Sequence, residues 1–261
     1  MTNLRQIMFA GALLALVCSV PQSLMAQGQP APRWSIITIS TIKPEARDDY
    51  EAWQKQIMAA YKKAEVPSRV VLQTVLGDVY EYVSVVPVAK FAELDGDTPV
   101  QRALGKEPAA ALMRKGAAYV TSVHRLMSLE MPDLSIMTQE SGPPAFALVQ
   151  SIRLAPGRAD DFAAWVKDEY LPAAKKAEIK NLWVSRAVHG GDPNERVIVR
   201  PVKSMAEFDA GPFTTRALGA EGARKLMSRQ AVLVEFVNYR VVRYRTDLSY
   251  QMPPPKAATG Q

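Results

Sequence analysis

The chain has 261 residues, 48% of them hydrophobic, and 32 Lys and Arg against 26 Asp and Glu give a formal net charge of +6. That apolar share is enough for a packed core and excludes a chain disordered throughout, while a modest, dispersed positive charge without basic runs among aromatics excludes a dedicated nucleic-acid binder. A single cysteine excludes a disulfide framework and a cysteine-rich metal site.

At the start of the chain, Arg5 precedes an apolar run over residues 7–17, followed by Pro21 and the small residue Ala26. This is the pattern of a secretory signal peptide over residues 1–26, and the run is too short for a membrane span, which needs about 20 residues. The expectation is an exported, periplasmic or extracellular protein with no membrane attachment after cleavage. The one cysteine, Cys18, lies inside this segment.

Next, residues 34–42 read as a strand, and Pro44 stands where a helix begins, since its fixed φ suits a first turn. Tyr50, Trp53, Ile57 and Tyr61 then recur at spacings of three and four, one apolar helical stripe. Two β-rich runs flank Gly77 and Asp78 as in a hairpin, a helix ends near Lys115, and a strand follows over residues 117–129. Residues 131–144, with Pro132, Gly142, Pro143 and Pro144, read as a linker.

The same order then returns. The helix over residues 162–177 contains Pro172 and should kink there. Gly190 to Asn194 form the second hairpin, Ser204 with Glu207 form a capping box, and a helix ends near Arg229. The last strand, residues 231–244, holds Val232, Leu233, Val234, Phe236 and Val237, a nearly continuous run that reads as covered on both faces. Residues 250–261, with three consecutive prolines, read as a disordered tail.

The recurrence is visible residue by residue. Residues 82–135 align without gaps to residues 196–249 at an offset of 114, with 21 identities in 54 positions. Pro87, Glu93, Asp95, Arg102, Gly105 and Asp133-Leu134-Ser135 return as Pro201, Glu207, Asp209, Arg216, Gly219 and Asp247-Leu248-Ser249. Upstream the offset is 112, matching Trp53 to Trp165. The chain therefore reads as two tandem α+β units, residues 33–130 and 145–249, each a ferredoxin-like βαββαβ unit with both helices on one face of its antiparallel sheet. The two sheets then shield each other's apolar faces.

This order of elements resembles the dimeric α/β-barrel superfamily, here fused in tandem, with a texture similar to its NIPSNAP-like and antibiotic-biosynthesis-monooxygenase-like members and to an exported bacterial subgroup. The resemblance is one of element order and carries no catalytic motif, and fold alone does not choose a chemistry. Several relatives hold haem through a histidine on a second-half helix; no histidine occupies those helices here, so no cofactor is expected.

Candidate site residues come from two comparisons. Residues kept in both copies, such as Glu93 and Glu207 or Arg102 and Arg216, sit at helix starts, where carboxylates cap free donors, and Trp53 and Trp165 belong to core faces. Strand positions that are ionisable only in the second copy are more informative: Arg186 for Leu72, His189 for Val75, Arg200 for Val86, Arg153 for Thr41 and Glu235 for Thr121. Such asymmetry is expected if one half keeps a pocket between helices and sheet, or if these side chains face water. The expected ligand-binding set is Arg153, Trp183, Arg186, His189 and Glu235, with Glu235 and His189 as the candidates for proton transfer. Glu235 lies between Val234 and Phe236, where desolvation would make its carboxyl basic. His124 and His189 occupy non-equivalent positions and form no metal pair.

Three functions remain open: an exported barrel binding a small apolar or anionic ligand in its second half, a cofactor-independent monooxygenase or isomerase, and a noncatalytic envelope interaction module. Either a monomer or a homodimer is compatible with each.

Overall fold

The computed structural model describes residues 33–138 and 144–252; residues 1–26, expected to be a signal segment, lie outside them. The first half contains β1 (Trp34–Ile42), α1 (Arg47–Lys63), β2 (Ser68–Leu76), β3 (Glu81–Val88), α2 (Pro99–Leu104), α3 (Lys106–Ala117) and β4 (Val120–Glu130). The second contains β5 (Phe146–Leu154), α4 (Ala159–Trp165), α5 (Leu171–Lys176), β6 (Trp183–His189), β7 (Glu195–Val202), α6 (Phe213–Ala231), β8 (Val234–Tyr244) and the short β9 (Tyr250–Gln251). Both halves follow the order read from the sequence.

All strand pairs are antiparallel, and the order β3-β1-β4-β6-β7-β5-β8-β2 returns to β3, so eight strands close into one barrel. Two of these pairings, β4 with β6 and β8 with β2, join the halves edge to edge. Alternation along each strand then sorts side chains into an inside and an outside. Inside lie Ala147, Val149 and Val242 with Leu72, Val197 and Val199, and the ion pair of Arg240 with Glu81 at 2.7 Å. Outside, under the helices, each half has its own core. Ile42, Tyr50, Trp53, Val71 and Tyr82 belong to the first; Ile152, Phe162, Trp165, Val184 and Leu226 belong to the second.

Several recurring residues acquire a reason. Gly105 and Gly219 adopt φ of 86° and 71°, where a side chain is disfavoured, and each breaks the helical path one residue after a leucine. Trp53 donates its indole N–H to the carbonyl of Leu112 at 2.8 Å, and Trp165 donates to that of Leu226 at 3.3 Å. Against the Trp53 ring lies Gly116, where an added Cβ would sit 2.2 Å from ring carbons. Gly116→Ala, normally favourable in a helix, is therefore expected to cost about 1–3 kcal/mol through overpacking, read as a lowered urea midpoint.

The Asp-Leu-Ser triplets have the most telling placement, because each lies on the opposite half. After β4, Met131 N–H bonds to the Val184 carbonyl, Ser135 Oγ accepts from Val184 N–H, and Ile136 pairs with Leu182. After β8, Arg245 N–H bonds to the Val71 carbonyl, Ser249 Oγ accepts from Val71 N–H, and Tyr250 pairs with Arg69. Leu134 is thereby buried in the second half's core and Leu248 in the first's. These two straps are exchanged between the halves.

The second strap carries a polar cluster. Arg245 donates to Glu51 Oε1 at 2.5 Å and Oε2 at 2.7 Å, and to Asp247 at 2.8 Å, while the Tyr82 hydroxyl donates to Glu51.

Some expectations are corrected. Residues 250–251, assigned to the tail, form β9 against β2, and Tyr250 is buried because it fills the end of the strap. Within the expected linker, residues 132–134 form a short 3-10 turn and Leu134 is buried. The apolar run before and into β8 is not covered on both faces: Val232 falls in the turn between α6 and β8 and is 71% exposed, and Phe236 within β8 is 59% exposed because β2 pairs with β8 only from Val241 onward. No capping box forms at Ser204; Glu207 instead accepts from Lys203 N–H, and the full box is at Thr98 and Gln101, opening α2. At Pro172 the helix divides through a π-helical turn, Val166–Tyr170. There Leu171 N–H reaches back five residues to Val166, and the widened turn accommodates the proline ring, which has no N–H to give.

Candidate functional site

The five residues expected to line a pocket do not converge. Trp183 pairs with Val199 and shares its barrel-interior face, whereas Arg186 pairs with Arg196 on the outer face. Arg153 is exposed and pairs with Asp192 at 3.0 Å. His189 ends β6, exposed, edge-on to Phe91 with centroids 5.6 Å apart. Glu235 is the extra residue of a β-bulge, since Leu154 pairs with Val234 and Arg153 with Phe236, and it faces solvent. The enclosure on which its candidacy rested is missing at that position.

A cavity of about 680 Å³ does lie between helices and sheet of the second half, lined by a different set. Its floor is the outer face of three adjacent strands. Ile198, Gln150 and Tyr239 form one cross-strand row, and Arg200 with Leu148 forms the next. Its roof comes from the start and middle of α6, with Phe213, Ala223 and Met227, and its far wall from Tyr170 on the π-helical turn. The turn imposed by Pro172 thus carries the phenol that closes the cavity. Tyr170 stacks on Trp165 at 5.0 Å and meets Phe213 edge-on at 5.3 Å, which fixes its ring.

The polar groups here are few and sparsely partnered. Gln150, buried, donates Nε2–H to the Tyr239 hydroxyl at 3.1 Å, leaving the Tyr239 proton free for another acceptor. No hydrogen bond to the Tyr170 hydroxyl forms among the described residues. Burial pushes both phenols above their ordinary pKa, so both are neutral donors at physiological pH. The Arg200 side chain is 13% exposed, with its nearest carboxylate, Glu207, 3.8 Å away and itself 40% exposed. Burial lowers the Arg200 pKa, Glu207 and Tyr170 oppose that shift, and Arg216 adds to it. The Phe208 ring lies 5.8 Å from the guanidinium carbon, and Arg224 also lines the cavity.

Arg200 is the one member of the asymmetric strand set that reaches this cavity. Gln150, Tyr170 and Tyr239 were missed: they stand opposite Thr38, Met58 and Arg125 in the other half, so only Tyr170 is an ionisable group gained there.

The lining offers phenols and a thioether but no imidazole or thiolate. His124 lies on the interior face of β4, and His189 at a strand end, so a histidine-held haem does not fit this cavity. Among the described residues no group of three or more His, Cys, Asp or Glu is placed to hold a metal ion, and no helix is long and apolar enough to cross a membrane.

No family model and no curated protein sequence matches this chain. Solved structures do. A candidate monooxygenase from Lactobacillus acidophilus NCFM superposes with a TM-score of 0.57 at 12% identity, over 85% of this chain and 97% of that one. An anthrone oxidase-like protein gives 0.56 at 12% identity over 88% and 97%. A mutant chlorite dismutase from Candidatus Nitrospira defluvii, in complex with cyanide, gives 0.52 at 13% identity over 85% and 93%. The fold is the dimeric α/β barrel. At such identities the likeness carries architecture alone, and the dimeric α/β barrel formed here has its functional groups set by its own side chains.

Proposed function

We propose that this dimeric α/β barrel binds a small, mainly apolar molecule with one polar end in the cavity between α6 and the β7-β5-β8 face. One observation carries the reading: in the second half a roomy, largely apolar cavity collects Gln150, Tyr170, Arg200 and Tyr239 with few protein partners among them. The proposal extends to an exported protein, on the strength of Arg5 and the apolar run after it, and to an origin by tandem duplication, on the 21 identities and the exchanged straps.

A neutral fluorescent probe, N-phenyl-1-naphthylamine, tests the pocket directly. Saturable binding with Kd on the order of micromolar is expected. Filling the roof with Ala223→Trp should abolish it, and undiminished binding to that folded variant would place the ligand elsewhere.

A second reading, an oxygenase acting without a cofactor, is favoured by Arg200, whose side chain is only 13% exposed. A desolvated guanidinium there stabilises negative charge developing on a substrate oxygen, as oxidation of an enolisable or phenolic ring requires. Two structural neighbours, the candidate monooxygenase and the anthrone oxidase-like protein, point the same way. Oxygen uptake with anthrone as substrate, lost in Arg200→Met, is the expected sign; binding of anthrone without oxygen uptake removes this reading.

A further inference from the structure

Building on the pocket reading, we infer that the natural ligand is an aromatic carboxylate, its acid group held by Arg200 and the tyrosine hydroxyls and its ring held by the apolar wall. The cavity holds an imbalance of charge. Arg200 is nearly buried, yet the closest counter-charge stands 3.8 Å away, mostly outside the cavity, and one of its oxygens is already taken by Lys203 N–H at 2.6 Å. No Asp or Glu lines the cavity, whereas a second arginine, Arg224, does. A buried cation without a close partner is costly to the folded protein, and an anion seated against it removes that cost. The planar guanidinium fork matches two coplanar oxygens better than a single hydroxyl or amide.

The tyrosines add direction. Tyr239 already accepts a hydrogen bond from Gln150, so its own O–H points to a further acceptor, and the Tyr170 hydroxyl has none among the described residues. Two neutral donors beside one cation suit a ligand that only accepts, which an ionised carboxylate is. The remainder of the lining selects the ring: Phe208, Phe213, Tyr170 and Tyr239 supply aromatic surface and Met227 a polarisable sulfur. The first half serves as an internal contrast. Val86 and Met58 stand where Arg200 and Tyr170 do, so the same fold without the ligand has no need of them.

The experiment compares 2-naphthoate with its neutral isostere 2-naphthamide by calorimetry on the chain lacking residues 1–26, with the naphthylamine probe as reference. The acid is expected to bind at least about tenfold more tightly than the amide, the scale of a charge-assisted pair in a desolvated site. In Arg200→Met that ratio should narrow to within about threefold, and Arg200→Lys should restore part of it, since it keeps the charge but loses the fork. If the amide binds the unmodified protein as well as the acid, or Arg200→Met keeps the ratio, the carboxylate assignment falls while the pocket stands. If neither compound nor the neutral probe binds, the pocket reading itself fails and the assignment with it. Circular dichroism of each variant separates loss of binding from loss of fold.

Discussion

Leu248→Ala is expected to lower the unfolding free energy by about 2–5 kcal/mol, a fall in Tm of roughly 5–15 °C for a domain of this size. The side chain is fully buried and belongs to the core of the half it does not come from. Removing three carbons there leaves a cavity beneath α1, and it also loosens the strap whose neighbour Ser249 accepts the Val71 N–H. Leu134→Ala should cost a similar amount for the reciprocal reason, since Leu134 packs in the second half's core. Because each strap serves the other half, both variants should show one cooperative transition in urea with the slope unchanged. A change below about 1 kcal/mol in either, outside the usual range for a buried leucine, would show that the straps merely lie on the surface of the cores.

The second large effect concerns Arg245. Its guanidinium hydrogen bonds hold the Glu51 carboxyl below the usual carboxylate range, against an opposing push from burial, and do the same for Asp247. Both carboxylates in turn raise the Arg245 pKa. For carboxyl groups depressed in the folded state, stability is fully present above their unfolded values, about 4, and is lost as pH falls toward the folded values. The protein should therefore lose stability progressively below about pH 5, within the range where such groups take up protons. Arg245→Met should be less stable at pH 7 by on the order of 2–3 kcal/mol, below the cost of a fully buried pair because the Asp247 side chain is 43% exposed. Its stability should also vary less between pH 5 and pH 3. Thermal melts across that range check both points, and parallel pH curves for the two proteins would remove the cluster from the acid response.

Much of the architecture was legible because the chain states it twice. Gly105 with Gly219, Trp53 with Trp165 and the two Asp-Leu-Ser triplets each mark a position where geometry leaves little choice: a left-handed break, an indole bond to a helix carbonyl, a crossing strap. What recurrence does not carry is the orientation of strands about the barrel. The period-2 pattern predicts alternation, but one extra residue in β8 turns Glu235 to solvent, and the late pairing of β2 with β8 leaves Phe236 exposed. The cavity was hidden for a related reason. Gln150, Tyr170 and Tyr239 come from β5, a π-helical turn and β8, and their meeting depends on which strands are neighbours. Arg200 surfaced from the comparison of the two halves because an arginine in place of Val86 is conspicuous; a tyrosine in place of an arginine is not.

The closure of the barrel also sets a timetable for its making. The outer edge of β2 finds its partner only when β8 is synthesised, and that of β4 only with β6, so both wait for the second half. At typical elongation rates β6 follows β4 after roughly 50 residues, about five seconds, and β8 after roughly 100, about ten, so the nascent first half offers two bare backbone edges at first and the β2 edge until β8 arrives. Translation slowed within the second half should therefore raise the aggregated fraction more than slowing in the first.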